Sequence, residues 1–381
     1  MDQHGLTEHS HTSFVPLQIR SERPKSTSVS DFPVIDNRQD LWKYVNLDKL
    51  AGLDSDVLSE FSEQVTFQHI SGVGFTWVDS TDPRVGSIGT PEDRVAAATY
   101  TNASRTLIVE INSSQPEPVF ININGNSNQP SALHLLVIAK RHTEATLVLK
   151  HTGFGVLGEI VELDIQDEAK LNLVSVQNWE TGSTHISSHF AKLGRNANLK
   201  HNTVSLGGDF IRITPVATFA EAGAEVEMNG VYFANSGQYI ENRPFVDHAA
   251  PNCKSRVTYK GALSGSKAHT VWIGDVLIRV AAEGTDTYEL NRNLLLTDGA
   301  RADSVPNLEI ETGEILGAGH ASASGRFDDE QLFYLEARGI PEVQARRLVV
   351  LGFLVDILQR TEVAELIEEL TAVLELKLEV R

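Results

Sequence analysis

Residues 317–326 read GAGHASASGR and set one imidazole, His320, among neighbours that are almost all small. Glycine and alanine on both sides let a second backbone or a cluster approach closely, so His320 is a candidate metal ligand or acid–base group, with a plain connector as the alternative. A second set of donors occurs in DHAAPNCKS, where Cys253 follows His248. Thiolate and imidazole are donors that iron, zinc and iron–sulfur clusters take, although a lone cysteine is also a small buried hydrophobe. Nine of the 13 histidines fall between positions 134 and 320, among them His185, His189, His201, His248, His269 and His320.

Other catalytic patterns are missing. GALSGSKA at 261–268 has glycines and Lys267 but fails the spacing of a phosphate-cradling loop and reads as a β turn. No G-x-S-x-G elbow and no H-E-x-x-H helix occurs. The HSH at 9–11 falls in a tail read as solvated. A formal charge of −19 leaves no basic stripe for nucleic acid and disfavours an anionic membrane surface. No window approaches the roughly 20 apolar residues of a membrane span, and the most apolar run, 348–358, carries Asp356 and reads as a buried helix. The start of the chain lacks the basic and apolar regions of a secretory signal, which makes the cytoplasm the expected address. One cysteine, Cys253, excludes an internal disulfide framework.

The elements that must position these groups come in four parts. Residues 1–38 are polar and aperiodic, the composition of a disordered arm. Residues 39–104 form a mixed, partly helical region, in which TPEDRVAAATYTNA predicts a helix started by Thr90, Pro91 and Asp93. From 105 to 322 short β-type runs follow one another, among them TLIVEI, LHLLVIA, KLNLVSV and HTVWIGDVLI. A small turn with alanine precedes several of them: Ala145, Ala169, Ala197, Ala224, Ala268 and Ala300. Spacing in the twenties to low thirties fits one coil of a parallel β-helix, with a sandwich or barrel as alternatives. Residues 323–381 are helical, with Gly339 ending one helix and Pro341 opening the next. These helices are expected as a small bundle on the end of the β body, where they cover an open edge.

Three phrases together resemble the C-terminal half of the SufB/SufD family, the scaffold proteins of SUF iron–sulfur cluster assembly. They are VDHAAPNCKSRVTYKGALSG, TYELNRNLLLTDGARADSVPNLEIETGEILGAGHASASGRFDDEQLFYLEARGI and ARRLVVLGF. LWKYVNLDKLAGL and EDRVAAATYTNA resemble the family's N-terminal region. The resemblance implies a right-handed parallel β-helix flanked by helical regions, and a noncatalytic role as a scaffold. The single cysteine and compact N-terminal region look like the SufD type; a SufB-type scaffold is the alternative, and a β-helix polysaccharide lyase or hydrolase is a more remote one. The implied partners are a SufB-like paralogue and a SufC-like ATPase, with a homodimer when the chain is alone. Iron or a nascent cluster is the implied cargo, with a reduced flavin as a further option in such a complex. His320 matches the family histidine of C-S-H-G-A, which is implicated in holding iron at the SufB interface, but Ala318 stands where the family has cysteine. Cys253 matches the family's P-x-C-x-S. Phe333, Tyr334, Arg338, Gly339 and Ile340 match the L-F-Y-L-x-x-R-G-I phrase of the region that docks SufC.

Overall fold

What turns short strands into a solenoid is the backbone at the corners. The computed structural model describes Arg20, residues 23–326 and residues 329–379. Three short strands come first, β1 (Ser59–Glu60), β2 (Val65–Phe67) and β3 (Val73–Asp79), then helix α1 (Arg94–Asn102). The solenoid strands are β4 (Arg105–Ile111), β5 (Val119–Ala139), β6 (Glu144–Ile165), β7 (Lys170–Gln177), β8 (Thr184–Leu193), β9 (Asn198–Ser205) and β10 (Phe210–Phe219). They continue as β11 (Glu225–Ala234), β12 (Tyr239–Asn242), β13 (Phe245–His248), β14 (Lys254–Leu263), β15 (His269–Ile278), β16 (Asp286–Leu295), β17 (Arg301–Ile310) and β18 (Gly317–Gly325). Helices α2 (Asp329–Ala337), α3 (Glu342–Leu358) and α4 (Ala364–Glu379) follow.

Strand makes up 47% of the chain, wound into a parallel β-solenoid of about eight turns. The first ladder stacks β4, the second halves of β5 and β6, β8, β10, the β12–β13 pair, β15 and β17. The second stacks the first halves of β5 and β6, then β7, β9, β11, β14, β16 and β18. At the N-terminal end β3 pairs antiparallel with β4, and β2 with β5. At the other end, among the described residues, β17 and β18 each pair on one side only, with β15 and β16.

Before β6, β7, β9, β11, β14 and β16 the chain turns through one residue with positive φ: His142, Glu168, Asn196, Gly223, Asn252 and Gly284, between 52° and 77°. Such a residue reverses the chain sharply. The residue after it faces the core and is small: Thr143, Ala169, Ala197, Ala224, Cys253 and Thr285, all buried. Ala169, Ala197 and Ala224 of the alanine repeat are therefore structural, whereas Ala268 and Ala300 precede strands of the first ladder and mark another corner, and Ala145 lies inside β6. Close approach also fixes two glycines. Gly230 lies in register with Tyr259 and Gly261 with Tyr232, and a Cβ on either would fall about 2 Å from the facing ring.

Three expectations need correction. Residues 23–38 do not form an arm: Val29, Phe32 and Ile35 are buried with Trp42, Leu50 and Leu53 against Val156, Ile186, Phe210 and Val271 on the outside of the first ladder. The rest of that segment lies outside the described residues, apart from Arg20, which pairs with Glu92 and Asp275. Helix α1 is capped by Asp93, whose side chain accepts from the Ala96 amide, rather than by Thr90. The C-terminal helices do not sit on the solenoid's end. Val350, Leu354, Ile357, Leu366, Leu370 and Leu374 pack along the outside of the second ladder against Val148, Val174, Val204, Val231 and Phe233. The outward residues under these helices form an apolar strip that must be covered, whereas the terminal coil is polar and is left open.

Candidate functional site

The open end of the solenoid collects polar side chains because the strand alternation carries them inward. Along β16 the inward positions are Thr287, Glu289, Asn291 and Asn293, all buried. In β18 the matching residues are Ala318, His320, Ser322 and Ser324. His320 therefore stacks on Glu289 on the inward parity of the last coil, and it is exposed because nothing among the described residues stacks above it. It lies on a strand with defined register, which separates it from a plain connector.

Around it the Ser322 hydroxyl meets that of Ser304 on β17 at 2.8 Å, and Asn293 Nδ2 donates to Ser324 at 3.2 Å. Deeper in, the Tyr232 hydroxyl donates to Asn293 Oδ1 at 2.7 Å and accepts from Asn291 Nδ2 at 2.9 Å. Glu289 is different. It is 1% exposed and neither carboxyl oxygen has a hydrogen-bond partner. Burial, and then the charge of Asp275, push its pKa up to about 8, so the acid is neutral near pH 7. Gly274 makes room for it, since a Cβ there would lie 2.8 Å from Glu289 Oε1 and 2.2 Å from the Trp272 ring. The sequence reasoning missed Glu289; the available signal was a carboxylate at an inward position of the alternating TYELNRN strand.

Cys253 is placed elsewhere. It fills the small-residue column at a corner, 1% exposed, with its thiol directed at the Pro251 and Glu221 carbonyls at 3.4 and 3.5 Å. Burial pushes the thiol pKa up, against hydrogen bonds from the Ala224 and Gly223 amides. That is packing chemistry, and the structure does not bring Cys253 to His320. His248 hydrogen-bonds Ser255 at 2.9 Å in the core and is separate from both.

Histidines from successive coils do converge, near the N-terminal half. His151 Nε2 lies 3.0 Å from Glu159 Oε1, His185 Nε2 3.3 Å and His189 Nε2 3.8 Å from Oε2, all buried. Ser187 donates to Oε2 at 2.7 Å. Burial raises the Glu159 pKa, but the charge of His151 and the surrounding hydrogen bonds outweigh it and hold the carboxyl well below the usual range. These donors have the makings of a two-histidine, one-carboxylate metal site. The protons argue otherwise. Trp179 Nε1, which can only donate, points at His185 Nδ1 at 3.2 Å, so His185 carries its proton on Nε2 and has no lone pair there for a metal. The cluster is a hydrogen-bonded polar core.

Of the residues matched to a docking region, Phe333 and Tyr334 on α2 are 72% and 58% exposed. Arg338 lies 4.9 Å over the Tyr334 ring, Gly339 turns the chain at φ 86°, and Ile340 is half-buried. The HSH at 9–11 lies outside the described residues.

Residues 121–353 match the family model described as the SUF system FeS cluster assembly SufBD core domain. The chain is 48% identical over 365 residues to the iron-sulfur cluster assembly SufBD family protein Mb1497 of Mycobacterium bovis, covering 93% of this chain and 92% of that one. A second protein of the same organism and family name, Mb1496, is 26% identical over 220 residues, 58% of this chain and 26% of that longer one. The iron-sulfur cluster assembly protein SufD of Bacillus subtilis is 26% identical over 267 residues, 64% of this chain and 57% of that one.

Proposed function

The chain belongs to the SufBD family of SUF-system iron–sulfur cluster assembly proteins, and from that premise we propose that it is a SufD-type, noncatalytic scaffold. Iron or a nascent cluster is its cargo, held at the seam with a SufB-like paralogue. The observation that carries this reading is the position of His320: exposed, on a strand with a free edge, at the inward column of the last coil. An edge of unpaired N–H and C=O groups is a template for another β chain. A partner seated there would bring its own donors to the imidazole, and those donors are needed because Ala318 supplies none. The relatives support a paired arrangement, since one organism carries both a close and a longer, distant family member.

Phe333, Tyr334 and Arg338 form the anchor for a SufC-like ATPase, with Gly339 and Ile340 shaping the turn beside them. Aromatic and arginine side chains exposed together are typical interface anchors. Hydrolysis in that subunit would bias the seam between open and closed arrangements. Among the described residues no helix is long and apolar enough to cross a membrane, which accords with a cytoplasmic role.

The test is co-purification of the tagged chain with its partners, wild type and His320→Ala, followed by anaerobic reconstitution and iron and sulfide measurement. Both forms should recover a SufB-like chain and an ATPase, and only the variant should lose iron. Failure to recover partners overturns the scaffold reading, and unchanged iron overturns the role of His320.

A further inference from the structure

A buried carboxyl with no partner is costly in any fold, about 1–3 kcal/mol for the lost hydrogen bonds alone, so its retention needs a cause. Glu289 is such a group, and its surroundings are arranged to keep it. The glycine at 274 leaves the space its carboxyl occupies, and the Trp272 ring shares that space. The Trp272 Nε1 is likewise unpartnered. Among the described residues the coil above Glu289 is β18, and the residue in register there is His320. Neighbouring strands lie ~4.8 Å apart, while a first-row divalent ion takes carboxylate and imidazole donors at ~2.0–2.2 Å. Donors on adjacent coils are thus spaced for one ion to bridge when both side chains turn to it.

We infer that Glu289 is the second donor of the site headed by His320, so that this chain offers ferrous iron an imidazole and a carboxylate before any partner contributes. The inference rests on the functional reading above and deepens it. As the ion arrives, a carboxyl oxygen of Glu289 turns its lone pair to the metal, and a proton held on that group leaves to solvent. His320 gives a lone pair as neutral imidazole, and no electron is transferred. The bound ion keeps a net positive charge and open positions, which water fills until donors come from across the seam. Entry is through the last coil, where the hydrogen bond between Ser304 and Ser322 spans the mouth. Asp275, the carboxylate whose charge acts on Glu289, is already engaged by Arg20 and Asn307 and so does not compete for the ion.

The experiment titrates ferrous iron alone, under anaerobic conditions, into the full chain and into its co-purified complex, comparing wild type, Glu289→Gln and His320→Ala. To remove adventitious binding by the N-terminal histidines, all forms carry His9→Ala and His11→Ala. Glutamine has the shape of the neutral acid, so circular dichroism and melting temperature should stay near wild type. Affinity should fall at least tenfold in Glu289→Gln and in His320→Ala. In the wild type, binding should change a carboxyl stretching band in the infrared difference spectrum, and that change should vanish in Glu289→Gln. Unchanged affinity in Glu289→Gln with loss in His320→Ala overturns the inference and leaves the functional reading standing. Unchanged affinity in both variants overturns the two together. Should Glu289→Gln fail to fold, the wild-type infrared measurement decides alone, and no carboxyl change on iron binding overturns the inference.

Discussion

His248, at the end of β13, is fully buried, with Nε2 2.9 Å from the Ser255 hydroxyl and its ring 4.6 Å from that of Phe219. Burial lowers its pKa from 6.5 to about 3, against a weaker raising effect of Asp286. The folded chain therefore refuses a proton that the unfolded chain accepts. Above pH 6.5 both states carry neutral imidazole and stability is complete. As pH falls from 6.5 toward 3 each unit removes about 1.4 kcal/mol, or about 2 kcal/mol by pH 5. His248→Gln loses the ring and some packing but also loses this proton linkage. Urea unfolding at pH 7.5 and pH 5 should show a lower starting stability in the variant, yet a drop between the two pH values smaller than wild type by about 2 kcal/mol. The other buried histidines titrate equally in both proteins and cancel. Equal drops, within about 0.5 kcal/mol, would refute the claim that His248 is held neutral by its burial.

Gly261→Ala places a methyl about 2 Å from the buried Tyr232 ring, whose hydroxyl is tied to Asn291 and Asn293. It should cost about 1–3 kcal/mol in denaturant unfolding, whereas Gly313→Ala, which meets nothing within 4 Å, should change stability by less than about 0.5 kcal/mol. Beneath the N-terminal cover, Glu241 pairs with Arg243 at 3.0 Å and faces Arg212 at 3.9 Å, all three about 1% exposed. Glu241→Ala strands two buried guanidinium groups and should cost about 3–5 kcal/mol by the same measurement; a smaller loss would mean that water reaches the network.

The β-helix was legible because its corners leave a local trace. A small residue after a tight turn is forced by stacking, and Ala169, Ala197 and Ala224 record one corner at intervals of 28 and 27 residues. The apparent jump to Ala268 came from changing corners, while Cys253 and Thr285 continue the original column under other names. The family phrase singled out His320, and register then supplied what a phrase lacks, its neighbour. Glu289 lies 31 positions earlier, and only the length of the intervening coil decides that the two stack. The same reason hides the meeting of Glu159 with His151, His185 and His189. The N-terminal segment misled because polarity reports exposure on average, whereas Val29, Phe32 and Ile35 are enough to fasten it. The C-terminal helices were plain from their apolar stripe, but a stripe does not say which flank it covers.

A stack of coils with one sealed end and one free end has a direction. Cohesion comes from nearest neighbours, as in a one-dimensional lattice, and the unit at the free boundary has half the neighbours of the rest. Unfolding should thus run as a zipper from Gly325 inward, and amide exchange rates would form a graded ruler along the axis, fastest at β18 and slowest in the middle coils. Whatever occupies that boundary acts on the whole lattice. It moves the frayed front outward by a coil and is felt as protection at strands it never touches.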